Sequence, residues 1–181
     1  MKFHKSWCAV LLILFCPAMT RAASDWEYPV IKNYGRIMPR PDAAMQPQPS
    51  MRVYRVVFDI ATSETTDEGV NKGLVQIARY INVMASARAK RMKLAAAIHG
   101  EATSITLKDE VHRWLFGIDN PNLSLLTALA RAGVKLYVSG QALAEKEYLD
   151  DWVASPVEIA LSTQVVITDL QVRGWAYVPY K

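Results

Sequence analysis

The sequence predicts an α/β domain built on a mainly parallel sheet of about five strands, covered by helices on both faces. Two observations carry that expectation. Short runs rich in β-branched and aromatic residues alternate with stretches whose apolar positions recur at helical spacing. Helix starts and stops fall between those runs, at Thr65–Glu68, Asn120-Pro121, Gly133 and Gly174. Strands separated by helices need right-handed crossovers, and crossovers of that kind make parallel pairs.

The first 22 residues are read apart from the domain. Lys2 and Lys5 precede an apolar run, Trp7 to Phe15, and small residues follow near Ala22 and Ala23. That is the order of a secretory signal, and the run is too short to span a bilayer. Cys16 follows bulky Phe15, where a lipoprotein signal needs a small residue, so a lipid anchor is not expected. The expectation is a secreted, periplasmic domain. Cleavage at this point removes Lys2, Lys5 and Arg21 and no acidic residue, so the formal charge of +4 becomes +1. A nucleic-acid partner then loses its main support. Both cysteines, Cys8 and Cys16, leave as well, taking disulfides, thiolate nucleophiles and cysteine metal sites with them. No second stretch reaches transmembrane length.

Residues 23–51 hold Pro29, Pro39, Pro41, Pro47 and Pro49 and read as an extended arm. Trp26, Tyr28, Val30, Ile31, Tyr34 and Ile37 are more apolar than a linker needs, so the arm is expected to lie on the domain or on a neighbouring subunit. Residues 52–181 form the domain. Val53 to Ile60 is the first strand, followed by a capping box with Thr65 as N-cap and Glu68 three residues on. Val70, Leu74, Ile77, Ala78, Ile81 and Ala85 mark the first long helix. Met92 to Ile98 is the second strand. Short helices are expected at Lys108 to Leu115 and after Asn120-Pro121, the latter ending at Gly133. Val134 to Val138 is the third strand, followed by a helix at Leu143 to Leu149. Val157 to Ala160 is a fourth strand. Ser162 to Arg173 has a β-branched centre, but its length and Gly174 favour a helix. Ala176 to Val178 is an edge strand, where Pro179 is tolerated.

In open parallel sheets, ligands sit beyond the carboxyl ends of the strands. Asp59, His99 and Ser139 interrupt the apolar runs there, and Gly100, Gly140 and Gln141 follow them. Asn71 and Asn122 lie near helix starts facing the same rim, a setting suited to a small polar or anionic ligand. Ser139, His99 and Asp59 also have the residue types of a hydrolase triad, with serine attacking, histidine as base and aspartate as orienter. Ser139 lacks a G-x-S-x-G elbow, however, and the three also read as a turn former (Ser139), a hydrogen-bonded strand terminus (His99) and a loop-capping carboxylate (Asp59). His99 and His112 have neither the spacing nor the companions of a metal site, and His112 reads as a solvated helix residue. The basic run Ala87 to Lys93 reads as a solvated face. No phosphate or dinucleotide fingerprint is present, so no cofactor is expected.

The segments YRVVFDIAT, VNKGL, AAAIHGEAT, FGIDNPNLSLL, RAGVKLYVSGQAL and VEIALSTQVV, in this order, resemble the DsrE/DsrF-like family. Tyr28 to Gly35 is similar to the YPVIK-x-YG arm of its exported branch. The resemblance implies a three-layer α/β/α sandwich assembled into homo- or hetero-oligomers. It also implies sulfur held as a persulfide on a cysteine in a Y-V-C-G-Q context. The matching residue here is Ser139, whose hydroxyl cannot carry sulfane sulfur. His99, Gly100, Gln141, Asn71 and Asn122 match the surrounding positions. A pocket frame without its nucleophile suits a non-catalytic binding domain or an accessory subunit linked to sulfur metabolism. An enzyme using Ser139 and a purely structural oligomer stand as the alternatives.

Overall fold

The computed structural model describes residues 26–47, 53–89 and 91–180, so the expected signal segment lies outside the described residues. Among the described residues five strands and five helices follow in this order: β1 (Tyr54–Ile60), α1 (Lys72–Ser86), β2 (Met92–Ile98), α2 (Asp109–Phe116), α3 (Leu123–Arg131), β3 (Val134–Ser139), α4 (Gly140–Glu145), β4 (Glu158–Ala160), α5 (Thr163–Val172) and β5 (Ala176–Tyr180). Two 3-10 helices, Gly100–Thr106 and Asp150–Trp152, fill the loops before α2 and β4. The strands form one sheet in the order β4-β3-β2-β1-β5, and every pair is parallel. The expected α/β sandwich is the fold observed.

Side chains on a strand alternate between faces, and that alternation separates two cores. Val56, Phe58 and Ile60 of β1, Leu94, Ala96 and Ile98 of β2, and Val134 and Leu136 of β3 pack against Leu74, Ile77 and Ile81 of α1 and Leu125, Leu126 and Leu129 of α3. Burial of each of these side chains larger than alanine contributes roughly 1.5–3 kcal/mol before the entropy of ordering it. The opposite face is thinner. Val57, Ala95 and Ala97 meet Val166, Ile167 and Leu170 of α5 with Tyr137 and Trp175. Methyl side chains on the central strand let α5 sit close to the sheet. The segment Ser162–Arg173 is therefore helical despite Val165-Val166-Ile167, and Ser162 caps it by accepting the Val165 N–H.

Three local expectations need correction. The helix after β1 does not start at Thr65. Its N-cap is Asn71, whose Oδ1 accepts the Leu74 N–H at 3.2 Å. Thr65 instead makes an antiparallel bridge to Asn71, and Thr66 closes a turn with Gly69 and Val70. The helix after β3 begins at Gly140 rather than Leu143, because Ser139 caps it. His112 is not solvated. It is 8% exposed, bonded through Nδ1 to the Ile118 carbonyl at 2.8 Å and packed on Phe116.

The described part of the arm folds back on α1. Glu27 and Ile37 exchange both backbone hydrogen bonds, and Ile31 and Ile37 are buried. The contact is specified by Asn82, fully buried on α1. Its Oδ1 accepts the N–H groups of Val30 and Ile31, and its Nδ2 donates to the carbonyls of Ile31, Tyr34 and Gly35. Gly35 has φ +62°, and a Cβ there would lie 2.2 Å from the Arg79 backbone nitrogen, so only glycine lets the turn touch the helix. Among the described residues, no helix is long and apolar enough to cross a membrane.

Candidate functional site

The parallel register sets Asp59 of β1 level with Ala97 of β2 and Pro179 of β5. Asp59 shares its face with Val57, and His99 continues the alternation of Ala95 and Ala97 just past the end of β2. The two side chains therefore meet on the α5 side of the sheet. Nε2 of His99 lies 2.7 Å from Oδ1 of Asp59. The second carboxylate oxygen is held as well, since the hydroxyl of Tyr177 donates to Oδ2 at 2.7 Å. A carboxylate has only acceptors to offer, so Nε2 of His99 carries the hydrogen in this pair. The Asp59 side chain is 10% exposed and that of His99 32%, so the pair runs from a sheltered carboxylate to an imidazole that reaches solvent.

Tyr177 is the member that sequence reasoning missed. Its phenol is pushed above the ordinary tyrosine range, first by the hydrogen bond to Asp59, then by desolvation and by the charge of that carboxylate. Aspartate and tyrosine lie 118 positions apart, and only the pairing of β5 with β1 brings them together. The local signal was the tyrosine's place on an edge strand with the parity of Pro179.

Ser139 stands at the end of the neighbouring strand, on the same face by alternation from Tyr137, and is 4% exposed. Its hydroxyl oxygen accepts the Ala142 N–H at 3.3 Å, which makes it the cap of α4. Among the described residues no hydrogen bond links Ser139 to His99, so the Asp59–His99 pair is joined and the serine arm of a triad is not. Gly140 passes close to the end of β4: a Cβ there would lie 3.0 Å from the Ala160 carbonyl oxygen. Gln141 is exposed and donates to the Leu161 carbonyl at 3.4 Å. Gly100, with φ +56°, opens the 3-10 helix where a Cβ would press on the Ala61 carbonyl at 3.0 Å. It lets the loops after β1 and β2 run in contact beside His99.

The asparagines expected at the rim do different work. Asn122 Oδ1 accepts the Asn71 N–H at 2.7 Å, and Asn122 Nδ2 donates to Asn120 Oδ1. Asn120 Nδ2 donates to the carbonyls of Ile105 and Leu107, and Asn71 Nδ2 to that of Thr62. All three are 5% exposed or less. Their amides tie together the loops before α1, α2 and α3 and are engaged by protein groups. Among the described residues, no group of three or more histidine, aspartate or glutamate side chains gathers to hold a metal ion.

The sequence pattern of the DsrE/DsrF-like family matches residues 56–180. Among solved structures, a protein of unknown function from Methanobacterium thermoautotrophicum superimposes with a TM-score of 0.54 at 20% identity, over 70% of this chain and 99% of that one. At that identity the likeness speaks for the fold alone. No curated protein matches the chain. With the family match running from β1 to the end of β5, over more than half of the sequence, the chain belongs to the DsrE/DsrF-like family.

Proposed function

We propose that this chain is an exported, periplasmic member of the family that binds a small polar or anionic ligand at the carboxyl rim of the sheet and does not carry sulfur covalently. The carrying observation is the state of Ser139. It stands where the resemblance puts the cysteine, and its hydroxyl caps α4 at the Ala142 N–H. A buried capping hydroxyl has neither the nucleophilicity nor the redox chemistry of a thiolate. What remains at the rim is the partly exposed imidazole of His99, fixed by Asp59. A link to sulfur metabolism rests on family membership.

The test is chemical-shift mapping. The cleaved chain is titrated with anions (thiosulfate, sulfite, small carboxylates) and with neutral polar molecules (small thiols and phenols), and shifts with at least one class are expected at His99, Gly100 and Ser139 to Gln141. Mass spectrometry after exposure to polysulfide should find no added sulfur. Shifts confined elsewhere, or a covalent adduct, would sink the reading.

A second observation favours assembly into oligomers. Trp114, Phe116 and Ile118 around the end of α2 are 71%, 48% and 59% exposed, and Leu149 beyond α4 is 55% exposed. Trp114 packs edge-on against Trp152, which draws part of this apolar surface together. Apolar side chains of this size are commonly covered by another subunit. Sedimentation of Trp114→Glu against the wild type decides: equal masses count against assembly through this surface.

A further inference from the structure

We propose that His99 is a general base whose working atom is Nδ1, and that it takes a proton from a small neutral weak acid bound at the rim, with Asp59 and Tyr177 as its positioning residues. The proposal rests on the rim being a ligand site and adds the chemical class of the ligand.

The ring has one free edge. Its Nε2–H is committed to Asp59 Oδ1 at 2.7 Å, and Asp59 cannot rotate away without breaking the bond from Tyr177 to Oδ2. The three residues come from adjacent parallel strands or strand ends, β5, β1 and β2, so the chain of bonds is anchored in the sheet. Nδ1 has no protein partner among the described residues, and no buried side-chain nitrogen or oxygen among them lacks one. Nδ1 therefore meets solvent with its lone pair outward. Orientation of one ring nitrogen by a carboxylate, leaving the other to act, is the arrangement a histidine base requires. Ser139 is not the acid it serves, because no hydrogen bond joins them and the serine oxygen is engaged at Ala142. The neighbouring acid on the next turn, Glu101, is paired with Lys146 at 3.5 Å.

Charge selects the ligand. A neutral imidazole beside the Asp59 carboxylate carries one negative charge, which opposes the approach of a ready-made anion. A neutral X–H group, such as a thiol or a phenol, meets no such barrier. On transfer the X–H bond breaks, an Nδ1–H bond forms and the electron pair stays on X. The product is X⁻ facing an imidazolium that Asp59 stabilises from behind. Net charge is unchanged, and no oxidant or second substrate is needed.

Two measurements on the full cleaved chain test this. Nitrogen NMR of the histidine rings should show His99 as a single tautomer, protonated at Nε2 and bare at Nδ1. Tyr177→Phe, which removes one hydroxyl from a partly exposed ring, should convert that signal into a tautomer mixture while the folded spectrum of the rest of the chain is retained. An Nδ1–H tautomer in the wild type, or no change in Tyr177→Phe, overturns the proposal. The second measurement uses 4-nitrophenol held below its own ionisation range. The wild type should raise its phenolate absorbance severalfold, and His99→Gln should abolish the rise. Shifts at the rim without phenolate leave the binding reading standing and overturn the base. No shifts anywhere overturn both.

Discussion

Oδ1 of Asn82 accepts the backbone N–H of Ile31 at 2.8 Å, so a single carboxamide in the middle of α1 fixes where the arm crosses the domain. The same side chain makes four further bonds to the arm's backbone. Asn82→Ala should cost about 2–4 kcal/mol, since buried donors and acceptors on both sides lose their partner at once. Urea denaturation gives the magnitude. Hydrogen exchange should show loss of protection at Val30 and Ile31 ahead of the sheet; unchanged protection there would refute the latch.

The asparagine network makes a separate prediction about stability. Asn122→Ala leaves the Asn71 N–H without its acceptor in a site where both residues are almost wholly buried. A loss of about 1–3 kcal/mol is expected, with ligand titration at His99 changed little. A variant as stable as the wild type but unable to bind would return Asn122 to the ligand site.

Ser139 is predicted to matter to the fold more than to chemistry. Ser139→Ala removes the cap of α4 and should cost about 1 kcal/mol in denaturation. A serine-directed covalent probe should leave the wild type unlabelled under conditions that keep it folded. Labelling that disappears in Ser139→Ala would restore the enzyme reading.

Alkaline pH should destabilise the protein. Burial raises the phenols of Tyr80 and Tyr180, and the bond to Asp59 raises that of Tyr177. For a group whose folded-state value lies above the unfolded one, the unfolded chain loses the proton first. Stability is then fully present below the unfolded value, near pH 10 for tyrosine, and falls as pH rises through the folded values. Urea midpoints from about pH 9 to about pH 11 should fall in the wild type and less steeply in Tyr180→Phe.

The strands β1, β2 and β3 were legible because each is a bounded apolar run, and a fully buried parallel strand has no other appearance. Asp59 and His99 were legible for the same reason, as polar residues breaking such runs. Helix starts were harder. Thr65 and Glu68 spell a capping box, but a cap also needs the next residues to turn, and Asn122 holds the Asn71 backbone so that the turn begins there. Ser139 has the residue type of a nucleophile and of a turn former alike, and its part as a cap shows only once α4 is seen to begin at Gly140 rather than Leu143. Tyr177 depends on a pairing between distant strands. Asn82 left a faint trace: it follows buried Leu74 and Ala78 at intervals of four, a polar residue in phase with an apolar stripe.

The order of assembly follows from where Tyr177 sits. A chain made from its amino end can build the β4-β3-β2-β1 part of the sheet before β5 exists, because β5 joins the opposite edge of β1. Until then Oδ2 of Asp59 lacks its donor and the His99 ring has only a loosely held partner. The site is completed by the last strand along the chain. A protease nick between α5 and β5 that frees β5 would leave Asp59 without its Tyr177 donor while the other four strands keep their pairing.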